Sequence, residues 1–300
     1  MRITIEGVSA EFAVDPKPAS TVVVMRDGAG KDDAPDVFMV RRHEQTAFMG
    51  GAQVFPGGRV DRADSDADES WCHGIDHAVR QLPGLPRAEA VAYHVAAARE
   101  LFEEAGVLLA RNAAGSFVSL GEAEAHARFR RYRTDVHGHA LTLGDVVRRE
   151  HLRLSLDALV LFAHWVTPPI DARQFDTRFF LARVPPEQTP AHDDTETTES
   201  TWVTAAAAIA QAEAGAILLP PPTWTSLREL EPFRSVDEAL AWARGRRVAR
   251  RQPKVFEEGG VRMLVVPGDP LHPEPATGEI PVETRFSLVD RRWRAERGRT

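Results

Sequence analysis

Arg99-Glu100-Leu101-Phe102-Glu103-Glu104-Ala105-Gly106-Val107 is the stretch from which this 300-residue chain is read. On a helix turning about 100° per residue, Glu100 and Glu104 fall one turn apart on one face with Glu103 beside them, so three carboxylates crowd together. Upstream, Ala88, Val91, Val95, Ala98, Phe102 and Ala105 recur at intervals of three and four. That spacing predicts a stripe buried against a core, with the carboxylates on the other side. Gly106 is placed to take the left-handed conformation that ends the helix. Clustered carboxylates on a rigid helix suit hard cations, which prefer oxygen ligands, and a solvated acidic face is the competing reading.

The stretch resembles the second half of the Nudix box, in which Arg-Glu-apolar-any-Glu-Glu-any-Gly-apolar follows a Gly and a Glu at fixed distances. Every specified position from Arg99 to Val107 matches. The first half departs: Val91 stands at the box Glu and Leu85 at the box Gly. Phe55-Pro56-Gly57-Gly58, the usual approach to the box, lies well upstream, as though a segment from about Arg59 to Pro86 were inserted. The resemblance implies an α/β/α sandwich with a mixed sheet, magnesium or manganese on Glu100, Glu103 and Glu104, and hydrolysis of a pyrophosphate bond with Glu103 and Glu104 among the catalytic groups. Gly57 and Gly58 then mark a close approach of substrate to backbone. Arg99 is expected to anchor the helix by ion pairing.

Further motifs narrow the branch. Trp165-Val166-Thr167-Pro168, Arg173 to Phe180, Glu199-Ser200-Thr201-Trp202 and Leu218 to Thr223 are similar to the motif-19 group of Nudix proteins, which resemble coenzyme A diphosphatases and carry a long insertion at the same place. Coenzyme A or an acyl-CoA is the substrate this implies, with 4'-phosphopantetheine and 3',5'-ADP as products. Met49, where the coenzyme A signature has His, and Gln53, shifted by one, depart from the wider pattern. Two alternatives stand beside this reading: a Nudix hydrolase of ADP-ribose, NADH or dinucleoside polyphosphates, and a non-catalytic nucleotide-sensing protein on the same fold.

A formal net charge of −7 argues against nucleic acid as partner, since phosphate backbones are bound through excess positive charge. Lysine occurs only at Lys17, Lys31 and Lys254, so recognition of a nucleotide-containing substrate falls to arginine. One cysteine, Cys72, excludes an intramolecular disulfide and reads as an unreactive thiol. No apolar run has membrane-spanning length and no signal peptide is evident, which leads to an expectation of a cytoplasmic protein.

In chain order, Ala19–Met25 and Val37–Arg42 read as strands, the second delivering Arg41 and Arg42 either to a substrate phosphate or to the surface. Residues 59–86, rich in Asp, Pro and Gly, read as an irregular excursion; its alternating Asp61, Asp64, Asp66 and Asp68 lack the EF-hand order. Helices are expected over Gly121–Arg133 and Thr142–His151, and strands over Leu159–Val166 and Phe175–Val184. The histidines His126, His137, His139 and His151 share no metal-ligand spacing. In the acidic stretch Pro185–Glu199, Glu196 or Glu199 is the candidate further ligand or general base. Helices follow over Thr204–Ala214 and Ser235–Arg244, with Pro220–Pro222 as a stiff connector. The basic run Arg244–Arg251 reads as solvated or subunit-facing. Strands over Val255–Val266 and Glu283–Trp293 complete the sheet, cover the site or build a homodimer contact. The division expected is a Nudix domain over residues 1–244 and a C-terminal extension over residues 245–300.

Overall fold

Two apolar, β-branched runs set the central sheet of the computed structural model, which describes residues 4–5, 15–29, 33–44, 50–169, 173–193, 195–258, 260–289 and 292–298. After the short strand β1 (Thr4–Ile5), the expected pair forms as β2 (Lys17–Arg26) and β3 (Asp36–Arg42). Val22 and Val24 enter one core and Val23 and Met25 the other. A strand covered on both faces reads as a continuous apolar run for this reason. Met49, Lys31 and Asp194 lie outside the described residues.

Next come β4 (Gln53–Val54), β5 (Gly57–Arg59), β6 (Cys72–His73), α1 (Ile75–Gln81) and the box helix α2 (Arg87–Ala105). They are followed by β7 (Ala110–Arg111), α3 (Ala123–His137), α4 (Leu143–Arg149), β8 (Arg153–Ser155), β9 (Val160–Val166), β10 (Phe175–Arg183) and β11 (Thr197–Thr204). The chain closes with α5 (Ala205–Glu213), α6 (Pro221–Leu230), α7 (Val236–Gly245), β12 (Arg250–Arg251), β13 (Lys254–Glu258), β14 (Val261–Val265), β15 (Arg285–Val289) and β16 (Arg292–Glu296).

The main sheet runs β11-β3-β2-β10-β9-β12, with β4 on β3 and β5 on β2. It is mixed: β2 and β10 are parallel, as are β9 and β12, and the other pairs are antiparallel. Box helix α2 packs on one face with Val22 and Val24, and α5, α6 and α7 pack on the other with Val23 and Met25. This is the expected α/β/α sandwich. A separate sheet, β1-β13-β14-β15-β16, is built largely from the C-terminal residues. Among the described residues no helix is long and apolar enough to cross a membrane.

Four local expectations are corrected. Helix α2 is not two-faced: every residue from Ala90 to Ala105 except Glu100 is buried, whereas Ala88 is exposed. The helix passes through the interior, where each large apolar side chain it buries contributes roughly 1.5–3 kcal/mol. Residues 59–86 are not an irregular excursion; they hold a 3-10 turn at Arg62–Asp66, β6 and α1, and send Trp71, Cys72, Ile75, Ala78 and Leu82 into the core. Pro221 and Pro222 open α6, since a residue with preset φ and no N–H costs nothing in a first turn. In the basic run Arg244, Arg247 and Arg250 are exposed as expected, but Arg246 and Arg251 are buried on Glu229, at 3.1 and 2.5 Å, rather than solvated. Elsewhere Gly106 takes φ 68° at the end of α2, and Ser235 accepts a hydrogen bond from the Glu238 amide to start α7, as anticipated.

Candidate active site

Helix α2 brings Glu100, Glu103 and Glu104 to the edge of the sheet beneath Gly57 and Gly58 of strand β5. The Gly57 amide donates to Glu104 Oε2 at 3.0 Å. A Cβ on Gly58 would stand 2.5 Å from Glu100 Oε1, so only glycine lets the carboxylate lie against the backbone there. Arg99 gathers the rest: Nη1 donates to Glu100 Oε1 at 2.8 Å and to Glu103 Oε1 at 3.0 Å.

Asp64 supplies the other half of that clamp. Arg99 Nε and Nη2 donate to the two Asp64 oxygens, each at 3.0 Å, and Nη2 also donates to the Arg59 carbonyl at 2.7 Å. Asp64 and Arg99 are both buried. Burial works against the guanidinium charge, but Asp64, Glu100 and Glu103 more than offset it and raise the pKa. The partner of Arg99 therefore comes from the inserted segment, in place of the absent box glutamate. Sequence reading passed over Asp64 because it stands among Asp61, Asp66 and Asp68 with nothing to set it apart.

The electrostatics fit a bound cation. Burial pushes the Glu100 carboxyl up to about 7, Arg99 pulling against it and Glu103 and Glu196 adding to the rise. Burial likewise lifts Glu104 well above its ordinary range, and the charge of Glu100 adds to the effect. Carboxylates kept from water and from charge balance are stabilised as anions by a hard divalent ion. Among the described residues, no three His, Cys, Asp or Glu side chains already converge as ligands; the oxygens are turned instead to Arg99 and to the Gly57 amide.

A cleft of about 760 Å3 opens over this cluster, and Arg42, Gly57, Gly58, Glu100, Glu103 and Glu196 line one end of it. Strand pairing sets Thr197 opposite Arg42, which carries Glu196 to the cleft. The backbone there is fixed by Asp193, which accepts hydrogen bonds from the amides of Glu196 and Thr197 and from the Thr197 hydroxyl. Burial works against Asp193, but these donors hold it below the usual carboxylate range. Glu199 and Arg41 lie elsewhere: they pair with each other at 3.5 Å, Arg41 also meets Glu44, and neither lines the cleft. His137, one of the histidines without metal-ligand spacing, stands 3.8 Å from Glu103 Oε2 and does line it.

A box helix under a Gly-Gly strand at the rim of the mixed sheet of an α/β/α sandwich defines a Nudix hydrolase. The family model described as NUDT19 Nudix domain matches residues 73–230. Acyl-coenzyme A diphosphatase NUDT19 of Homo sapiens is 31% identical over 283 residues, covering 79% of this chain and 72% of that protein. The protein of the same name from Xenopus laevis is 26% identical over 276 residues, covering 80% and 72%. Among solved structures, a NUDIX hydrolase from Alicyclobacillus acidocaldarius superposes with a TM-score of 0.61 at 26% identity, covering 76% of this chain and 97% of that one. The chain belongs to the NUDT19 family of Nudix hydrolases.

Proposed function

We propose that this enzyme hydrolyses the diphosphate of coenzyme A and its acyl esters, releasing 4'-phosphopantetheine or its acyl form together with 3',5'-ADP. The observation that carries the reading is the gathering of Glu100, Glu103, Glu104 and Glu196 with Arg42 around Gly57 and Gly58 of β5. It is supported by the names of the relatives at 26–31% identity.

Glu100, Glu103 and Glu104 are assigned as ligands of magnesium or manganese, which when bound neutralises charge on the diphosphate and lowers the pKa of water. Arg99 and Asp64 hold those carboxylates in register. Glu196 is the group we assign to accept the proton of the attacking water, because its charge is felt by both Glu100 and Glu104. Arg42 is assigned to the diphosphate oxygens, and the Gly57-Gly58 backbone lets them approach. Water adds across the phosphoric anhydride: one P–O bond forms, the bridging P–O bond breaks, and the leaving phosphate takes the electron pair.

Product analysis by mass spectrometry tests this. Incubation with coenzyme A, ADP-ribose and NADH, each with magnesium or manganese and with chelator, is expected to give chelator-sensitive 4'-phosphopantetheine and 3',5'-ADP fastest from coenzyme A. Faster cleavage of ADP-ribose or NADH replaces the substrate. Turnover no greater than that of a Glu104→Gln control identifies a binding protein instead.

A further inference from the structure

The cleft does not end at the carboxylates. It turns past Gly57 and Gly58 and continues over the face of the main sheet opposite the box helix. Its floor there is a row of paired residues, Arg59 on β5, Ala19 on β2, Thr177 on β10 and Trp165 on β9. Three strand spacings make that floor roughly 14 Å long. Its far wall is the C-terminal sheet, through Leu264 of β14, Leu288 of β15 and Trp293 of β16. Leu288 is 44% exposed, an apolar side chain left open beside a channel.

A second cavity, of about 460 Å3, meets the first at Glu103 and His137 and runs under α3. Arg130 and Arg133 line it with His126, His137 and His192, beside Phe102, Leu120 and Phe129. Its two carboxylates are already engaged, Glu103 by Arg99 and Asp193 by the Glu196–Thr197 donors.

We infer that the two halves of the substrate part at Glu103: the uncharged pantetheine–acyl arm runs over the sheet floor beneath the C-terminal sheet, and the 3'-phosphorylated nucleotide enters the α3 cavity. This rests on the coenzyme A reading above. The linings assign the ends: the sheet channel carries Arg59, Arg173 and Arg262 but closes on the apolar Leu264, Leu288 and Trp293, which stabilise an acyl chain leaving water, whereas the α3 cavity sets Arg130 and Arg133 on one helix for an additional phosphate dianion. The C-terminal sheet is then the part of the enzyme that distinguishes acyl chains.

The test crosses four variants with three substrates, all in the full chain. Leu288→Asp is expected to lose about tenfold more kcat/KM on a long-chain acyl-CoA than on coenzyme A, mainly through KM, as the burial of one aliphatic side chain predicts. Trp293→Ala gives the same contrast without adding charge. Arg130→Glu is expected to lose about tenfold more on coenzyme A than on 3'-dephospho-CoA. Arg262, on the same face of β14 as Leu264, is the rival phosphate ligand: if Arg262→Glu shows the dephospho contrast and Arg130→Glu does not, the orientation is reversed and the inference is overturned. Equal losses across all three substrates overturn it as well. A wild-type enzyme that cleaves ADP-ribose or NADH but no coenzyme A species refutes the underlying reading instead, and with it this orientation.

Discussion

Arg99 holds the carboxylate cluster together, and Asp64 holds Arg99. Two parallel hydrogen bonds fix the plane of the guanidinium, leaving Nη1 to aim at Glu100 and Glu103. Removing Asp64 takes away two charge-assisted hydrogen bonds and leaves Glu100 and Glu103 as the remaining charge partners of Arg99, at a cost of about 1.5–3 kcal/mol. In Asp64→Asn, Arg99 is expected to settle more closely on Glu100 and Glu103 and to compete with the cation for their oxygens. The variant should be less stable to denaturant, and the cation concentration for half-maximal turnover should rise several-fold. Asp64→Glu, which restores the charge, should recover much of both. An unchanged cation requirement in Asp64→Asn would leave Asp64 a purely structural residue. Helical spacing made it legible that three glutamates share a face, but spacing says nothing about what covers that face. Their burial, and an ion partner 35 residues away in sequence, are tertiary facts.

Among the elements, those with long apolar periods were legible: α2, β9 and β10 lie within a residue or two of expectation. Helix α1 was not, because only Ile75, Ala78 and Leu82 mark its buried face in a segment otherwise rich in Asp, Pro and Gly. Its anchor is polar. Gln81 accepts from the Leu161 amide of β9 at 2.6 Å, and its Nε2 donates to the Leu159 carbonyl and to His94 Nε2 of α2, at 2.9 and 3.0 Å. His94 Nδ1–H donates to the Ala90 carbonyl at 2.8 Å, which fixes the neutral tautomer. Burial drives the His94 pKa from 6.5 down to about 3. The unfolded chain therefore takes up a proton below about pH 6.5 that the folded chain refuses until about pH 3, so acidification across that window favours unfolding. The slope approaches about 1.4 kcal/mol per pH unit for this one group. His94→Gln should flatten the decline of Tm between those limits relative to wild type, as calorimetry at a series of pH values would read. An identical decline in the variant would locate the acid sensitivity elsewhere.

For the whole molecule, the decisive relation is between the sandwich and the C-terminal residues. The expected boundary after Arg244 falls in the last turn of α7, and the chain beyond it returns to the sandwich three times. Strand β12 pairs in parallel with β9; Val266 and Phe286 enter the core that holds Val23, Phe162 and Leu227; Arg246 and Arg251 both bond Glu229 of α6. Burial would push the Glu229 carboxyl up, but the two guanidinium groups offset it and hold Glu229 below its usual range. Ending the chain at residue 244 leaves that carboxylate buried and unpaired, at about 3–5 kcal/mol. Loss of Phe286 and Val266 adds several kcal/mol more from emptied core volume. A domain has about 5–15 kcal/mol in total, so the remainder is left with little or none. A protein of residues 1–244 should accordingly be insoluble, or show no cooperative unfolding transition and rapid amide exchange in β9, whereas the full chain should unfold cooperatively with β9 protected. A soluble, cooperatively folded 1–244 protein with unimpaired turnover of acyl-CoA would refute both this packing dependence and the assignment of the C-terminal sheet to the acyl arm.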